Sequence, residues 1–240
     1  MEAKEFINRF YLDLSLNKET LQIYTVRKAL FESIKQSTSV FSGKLLDIGC
    51  GQMPYRNYIL ENNNKVEEYI GLDIDNSTIH DTSVADILWD GTKIPLQDSS
   101  IDSAMATEVL EHCFEPEKTL KEINRVLVNG GVFYFSVPFI WPLHETPYDA
   151  YRYTPFSLKR HLENAGFTDI EIKSLGGWHS SFAQMLSLWA TESKLSKVKR
   201  KIAQFLAIKF IPKLLQLDEK DNSFKQHCMI SGLYGTAKKK

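Results

Sequence analysis

Two stretches of this chain hold residues whose types and spacing suit chemistry. The first is Lys44-Leu-Leu-Asp-Ile-Gly-Cys-Gly-Gln-Met-Pro-Tyr55. Asp47 stands two positions before Gly49 and four before Gly51. Glycines at this spacing permit positive φ and let a ligand reach the backbone. A carboxylate at this point would repel a diphosphate and suits a cationic ligand. The second stretch runs from Pro138 to Thr154 and contains His144, Asp149 and Arg152. A neutral imidazole at His144 takes a hydroxyl proton near pH 7. Asp149 could orient that ring or bind hydroxyls of a substrate. Arg152 could hold a phosphate or carboxylate in bidentate fashion. Tyr148 and Tyr151 could stack on a ring. A purely structural alternative has His144 pinning the loop and Asp149 paired with Arg152.

Certain elements must position these groups. Leu45, Leu46 and Ile48 read as a buried strand, and Pro54 suits the first turn of a helix through Tyr55, Tyr58 and Ile59. Strand, glycine turn and helix start form a nucleotide-binding corner. Pro54 occupies the third glycine position of a dinucleotide fingerprint, which argues against that ligand. Glu68–Asp75 reads as a second strand ending in acids, with Asp73 placed 22 positions after Gly51. That spacing suits an acid on ribose hydroxyls. Capping of the next helix is the other use, and Asp75-Asn76-Ser77 fits it better. Thr82–Ile87 is a third short strand and Asp90-Gly91 a polar turn. Ser100–Thr107 is a fourth strand. Glu115–Leu127 is an amphipathic helix with Leu120, Ile123 and Leu127 inward, ended by Asn129-Gly130-Gly131. Val132–Val137 is a fifth strand, followed by the loop to Thr154. A helix over Pro155–Ala165 and a strand over Phe167–Leu175 come next, and the last strand falls near Cys228–Tyr234, within residues 227–236. Strand and helix alternate, which predicts a parallel sheet with right-handed crossovers.

Several of these segments carry a resemblance. Leu46-Asp-Ile-Gly-Cys-Gly51 resembles the first motif of class I S-adenosylmethionine-dependent methyltransferases, with Met53 where the fuller pattern has a glycine. Asp90 to Leu96 resembles the segment that carries an acid four residues before its Leu-Pro, here Ile94-Pro95. Glu108-Val-Leu-Glu-His112 resembles the family's opening after the fourth strand. The His, Pro, Asp, Arg-Tyr-Thr order in 144–154 resembles a subgroup often associated with bacterial surface-sugar biosynthesis. The resemblance covers roughly residues 40–175. It implies a type 11-like methyltransferase domain, with S-adenosyl-L-methionine as cofactor. By it, Asp47, Gly49 and Gly51 line the first corner and Asp73 binds ribose. Asp90, or Asp86 in a shifted loop, takes the adenine amino group, and the Gly91 N–H meets the ring. Thr107 and Glu108 lie near the methionine end, with His112 facing the site. His144, Asp149 and Arg152 become the acceptor-side candidates, with no metal expected. The implied fold is a doubly wound, Rossmann-like α/β domain over 1–240. Its seven-stranded, mostly parallel sheet has one antiparallel strand, N-terminal helices and a helical insertion at about 180–217.

The ends of the chain are read from pattern alone. Residues 4–12 and 19–36 have helical spacing, with Ile23, Val26, Leu30 and Ile34 near one face. They predict a packing layer, with Tyr11 or Tyr24 reaching the cofactor as a lid by resemblance. Residues 182–217 read as helical and carry Lys194, Lys197, Lys199, Arg200, Lys201, Lys209 and Lys213. Such a segment serves as a lid, a homodimer surface or a peripheral membrane contact.

Composition sets further bounds. The 240 residues are 43% hydrophobic and 25% charged, as in an ordinary globule. A net charge of −1 gives no basic field for nucleic acid. Cys50, Cys113 and Cys228 lack metal-site spacing and form no disulfide framework, which suits a reducing, cytoplasmic setting. Met1-Glu-Ala-Lys-Glu5 does not read as a signal peptide. The apolar run Val132–Leu143 is short of the ~20 residues a span needs. Methyl transfer to a small-molecule or glycan acceptor, at oxygen, is the leading expectation. A non-catalytic S-adenosylmethionine-binding module and an NAD-dependent oxidoreductase are the alternatives.

Overall fold

The computed structural model describes residues 3–74 and 84–240. Asp75 and the start of the expected strand at Thr82 lie outside the described residues. In chain order the elements are α1 (Ala3–Ile7), α2 (Leu21–Ser37), β1 (Gly43–Ile48), α3 (Arg56–Asn62), β2 (Val66–Ile74), β3 (Ile87–Trp89), β4 (Ile101–Thr107), α4 (Pro116–Val126), β5 (Leu127–Pro138), α5 (Pro155–Asn164), β6 (Phe167–Ser174), α6 (Trp178–Glu192), α7 (Lys197–Gln216) and β7 (Gly232–Lys239). The chain forms two compact units. One comprises Ile34–Pro138, Leu143–Ile172 and Tyr234–Lys240; the other comprises Met1–Ser33, Phe139–Pro142 and Lys173–Leu233.

The first unit is built on the sheet, whose strand order is β3-β2-β1-β4-β5-β7-β6. Strand β1 lies between β2 and β4 and runs parallel to both. A central parallel strand is covered on both faces, so Leu45, Leu46 and Ile48 are all fully buried. Leu120, Ile123 and Val126 bury one face of α4. Leu127, expected on that helix, instead opens β5 opposite Ile101. The ladder then skips to Val132 opposite Ser103, and Gly130 turns through φ +77° in the skipped stretch. The glycines that read as a helix stop therefore form an irregularity inside a strand.

Strand β7 enters between β5 and β6. Thr168 Oγ1 donates to the Lys238 carbonyl at 3.4 Å, and Gly235 lies against the Glu171 carbonyl. Partner numbers rise on one strand as they fall on the other, so β7 is antiparallel to β6. A Cβ at Gly235 would stand 2.0 Å from the Glu171 oxygen and 2.8 Å from Phe135 Cζ, so only glycine fits. The sheet is thus the seven-stranded, mostly parallel one that the sequence implied. The last strand begins four residues later than Cys228, and its end contains lysines that resemble a solvated tail. Lys239 Nζ donates to the carbonyls of Leu127 at 2.7 Å and Arg125 at 3.2 Å, which secures that end. Pro54 precedes α3 rather than starting it, since the helix opens at Arg56 behind Tyr55.

The second unit is helical. Leu21, Ala183, Ala190, Ala203, Ala207 and Ile211 form its buried cluster. Alanine at the contacts lets α6 and α7 approach closely. The expected 182–217 segment is two helices, starting at Trp178 and interrupted between Glu192 and Lys197. Asp218 sets the early start. Its carboxylate accepts from Gly177 N at 3.0 Å, Ser180 N at 2.8 Å and Ser180 Oγ at 2.6 Å, where a helix N-terminus favours negative charge. Tyr24 packs against the buried cluster, and the Arg27 guanidinium lies 4.2 Å from the Tyr11 ring centre. Both tyrosines therefore have packing roles within this unit.

Candidate active site

The site grows from the carboxyl ends of β1, β2 and β4. Past β1 the chain turns through Gly49 at φ +65° and Gly51 at φ +49°. Gly49 N and Cys50 N both donate to the Leu72 carbonyl, at 2.8 and 3.1 Å. Gly51 N donates to Asp73 Oδ2 at 2.8 Å, and Ile74 N donates to Asp73 Oδ1 at 2.8 Å. A Cβ at Gly49 would meet Val109 Cγ2 at 2.5 Å, whereas a Cβ at Gly51 or Gly91 meets nothing within 4 Å. Gly49 is there for packing; Gly51 and Gly91 leave backbone open to a ligand.

Beside them opens a cavity of about 570 Å³. Gly49, Gly51, Asp73, Gly91 and Glu108, five of the residues expected at the cofactor, line it, and so does His112. Asp90 does not. It is exposed, and its Oδ1 accepts from Thr92 N at 2.8 Å and Thr92 Oγ1 at 2.6 Å, which holds its carboxyl below the usual range. Asp86 Oδ2 accepts from Gly71 N at 2.8 Å and so ties its segment to β2. Thr107 closes β4 opposite Ser136 and lies outside the lining. Glu108 follows at φ +57° and accepts at Oε1 from Ser136 Oγ at 2.8 Å.

Asp47 lies behind the cavity rather than in its wall. It is 1% exposed, and its Oδ2 accepts from Tyr69 OH at 2.6 Å. Its Oδ1 has no hydrogen-bond partner among the described residues. Burial pushes its pKa up to about 7, against the pull of the Tyr69 hydrogen bond.

The loop after β5 is fastened to the segment after β4. Ala150 N and Tyr151 N donate to the Glu111 carbonyl at 2.9 and 3.1 Å, and Tyr153 OH donates to the Leu110 carbonyl at 2.9 Å. This brings His144 beside His112, with ring centres 4.7 Å apart and edge to face. His144 Nδ1 lies 3.2 Å from Asp149 Oδ2. Arg152 donates to both Asp149 oxygens, at 2.6 and 2.8 Å, and this guanidinium holds the Asp149 carboxyl down at about 2. The Asp149–Arg152 pairing foreseen as the structural alternative is thus present, together with the His144–Asp149 contact. Arg152 does not line the cavity; Tyr148 and Glu145 do. Tyr151 stacks on Tyr153 instead, at 5.4 Å.

Three residues of this region escaped the sequence reading. Trp89 lines the cavity at the end of the three-residue β3, too short to show any period. Phe114 lines it and meets Tyr148 edge to face at 6.3 Å. Glu111 is fully buried, and burial, with Glu108 next, drives its pKa well up. Burial also lowers the pKa of His112.

Comparison with known proteins fits this geometry. Residues 46–135 match the model of a family described as a methyltransferase domain. Asp47, Gly49, Gly51, Asp73, Asp90, Gly91, Thr107 and Glu108 lie within its span; Tyr11, Tyr24, His144, Asp149 and Arg152 lie beyond it. A Mycolicibacterium smegmatis protein named "Probable S-adenosylmethionine-dependent methyltransferase" is 30% identical over 148 residues, 57% of this chain and 56% of that protein. The chain thus spans little more than half the length of that relative. An Archaeoglobus fulgidus SAM-dependent methyltransferase superposes with a TM-score of 0.56 at 18% identity, covering 90% of this chain and 94% of its own. A Haemonchus contortus phosphoethanolamine N-methyltransferase, solved with phosphomonomethylethanolamine and S-adenosylhomocysteine, superposes at 0.54 and 12% identity, covering all of this chain and 60% of its own. These two likenesses show that the chain shares their fold.

Asp47 yields a pH prediction. Its folded pKa of about 7 lies above the ordinary 3.8, so between those values the folded protein holds more protons than the unfolded one. Stability therefore falls as pH rises through this window and levels off above it. In urea titrations from pH 4 to 8, Asp47→Asn should remove that slope, at most ~1.4 kcal/mol per pH unit. Parallel pH profiles for variant and wild type would show that Asp47 does not take up the proton.

Proposed function

We propose that the protein transfers a methyl group from S-adenosylmethionine to a hydroxyl of a small-molecule or glycan acceptor. The observation that carries this reading is the cavity itself. It lies at the carboxyl ends of the strands, offers open backbone at Gly51 and Gly91, and is walled by the acids Asp73 and Glu108. An acidic wall favours a sulfonium and an ammonium and opposes the diphosphate of a nicotinamide cofactor. A volume of about 570 Å³ suits a ligand of that size.

Gly49 and Gly51 would hold the ligand's middle, Asp73 its ribose, and Gly91, with Trp89 and the Asp90 turn, its base. Thr107 would set the bend that presents Glu108 to the amino-acid end, and Asp47 would act from beneath the loop. Bound there, S-adenosylmethionine supplies a methyl group already activated by positive sulfur. The protein has to align the acceptor, exclude water and see the hydroxyl proton removed. His144, oriented by Asp149 with Arg152 behind it, is assigned to that activation.

The exposed faces of α6 and α7 support a second element of function, attachment to an anionic membrane surface. Trp178, Phe182 and Trp189 on α6 and Ile202, Phe205 and Phe210 on α7 are all at least half exposed. On α6 they recur at helical spacing and form an apolar stripe, whereas on α7 they share their face with Lys199, Lys209 and Lys213. Helix α7 carries Lys197, Lys199, Arg200, Lys201, Lys209 and Lys213 and no acidic residue. Aromatic residues with basic neighbours describe a helix lying in a lipid interface. Among the described residues no helix is long and apolar enough to cross a membrane.

Calorimetry should find S-adenosylmethionine and S-adenosylhomocysteine bound and NAD not. Asp73→Ala should weaken the first two by about 1.5–3 kcal/mol. Tight NAD binding, or full affinity in the variant, would contradict the assignment. A non-catalytic binder would never release S-adenosylhomocysteine from any acceptor screened.

With a competent acceptor, His144→Ala should bind S-adenosylhomocysteine normally and turn over roughly 10²–10⁴-fold more slowly. Near-normal turnover would leave His144 a purely structural residue.

In flotation, the protein should rise with vesicles rich in phosphatidylglycerol and stay down with phosphatidylcholine alone. Ile202→Glu with Phe205→Glu should abolish the difference. If the protein stays down with both, and sedimentation shows a dimer that this double variant splits, the stripe is a subunit interface instead.

A further inference from the structure

We propose that Glu111, His112 and His144 bind one divalent first-row transition-metal ion beside the cavity. One ligand atom from each residue lies within 4.8 Å of those of the other two. His112 Nε2 stands 3.8 Å from Glu111 Oε1 and 3.7 Å from Glu145 Oε2. Two ligands sharing one ion, each at about 2.0–2.2 Å, stand only slightly closer together.

Glu111 is the deciding residue. It is 0% exposed, and neither carboxyl oxygen has a hydrogen-bond partner among the described residues. A carboxylate so buried must take a proton or meet a cation. The guanidinium of Arg152 has both Nη atoms on Asp149. His112 Nδ1 is likewise buried without a hydrogen-bond partner among the described residues. His144 supplies independent support. Its Nδ1 lies on Asp149, the arrangement in which a carboxylate fixes the ring of a metal-binding histidine. Glu108, Glu145 and Asp149 act on the cluster as further negative charges, against Arg152. That field draws a dication.

The donors set the class of ion. Two imidazoles and one carboxylate suit zinc, cobalt or ferrous iron better than magnesium or calcium, which prefer oxygen alone. Three protein ligands leave an open position. The chemical role rests on the methyl-transfer reading above; the ion site itself does not. With the ion bound, His144 serves as a ligand in place of a base, and an acceptor hydroxyl in the open position would lose its proton to water at lower pH than free in solution. The O–C bond would then form as the C–S bond breaks, its electron pair staying on sulfur.

Co²⁺ is a suitable probe, because its visible d–d bands report nitrogen and oxygen coordination. The tag-free full chain is dialysed against Co²⁺, and metal content and spectrum are read together. One Co²⁺ per chain with intense d–d bands, displaced by Zn²⁺, is expected. Glu111→Gln keeps the side chain's shape and should weaken binding at least ~10-fold, as should His144→Gln; Asp149→Asn should cost about 10–100-fold. Should Glu111→Gln fail to fold, His144→Gln, on a partly exposed loop, carries the test. Absence of stoichiometric Co²⁺, or binding unchanged in the folded variants, overturns the proposal. S-adenosylhomocysteine affinity is measured on the same samples. Cofactor bound without metal refutes the metal site alone. Metal bound without cofactor supports the metal site and refutes the methyl-transfer reading.

Discussion

The hydrogen bond from Gly51 N to Asp73 joins the two strand ends on which the cavity depends. The parallel register that sets Ile48 beside Leu72 delivers the β1 loop to the end of β2. There the Leu72 carbonyl and the Asp73 carboxylate accept from three successive loop N–H groups, those of Gly49, Cys50 and Gly51. Leaving one such buried N–H unpaired would cost about 1–3 kcal/mol. The same turn brings Gly49 against Val109, so the exit from β4 is fixed by the glycine that ends β1. Three strand ends are therefore set by one loop, and the walls of the cavity follow from it.

Four acids near this end of the sheet show how partners decide the state of a buried carboxyl. Asp149 and Asp47 are almost equally hidden side chains, at 1% exposure each. Asp149 has a guanidinium on both oxygens and stays ionised down to about pH 2. Asp47 has one phenol and titrates near 7. Asp73 lies at the cavity with two backbone N–H groups on it. Glu111 has neither kind of support, which singles it out among them.

What could be read from the sequence was what neighbouring residues dictate. Leu45, Leu46 and Ile48 announce a buried strand by composition, Gly49 and Gly51 a positive-φ turn, and Asp73 an acid at a fixed distance from them. The cavity wall at those positions was legible for that reason. Trp89 was not, because a three-residue strand has no period. Nor was the meeting of His112 with His144, which depends on Tyr153 and Ala150 tying one segment to another some forty residues earlier. The nearness of Glu111, His112 and His144 was hidden too, because cysteine spacing is blind to groups assembled from separate segments. The start of α6 was hidden likewise, since the carboxylate that caps it belongs to Asp218. The last strand starts later than its apolar residues suggest, and its far end is held by Lys239, bonded to backbone carbonyls of Leu127 and Arg125.

The place of β7 has a consequence for how the chain acquires this fold during synthesis. Strand β5 and strand β6 are not hydrogen-bonded to each other in the finished sheet; β7 separates them. Until residues 232–239 have left the ribosome, β5 presents a bare edge and β6 has no strand to pair with on its β7 side. Glycine at 235 admits the late strand without displacing the Glu171 carbonyl or the Phe135 ring. A nascent chain of this protein can complete β1 to β5, with the glycine loop and the cavity wall, well before it can close the sheet. The interval between those two events is when its exposed edges are open to pairing with other chains, and when a ribosome-associated chaperone has most to shield.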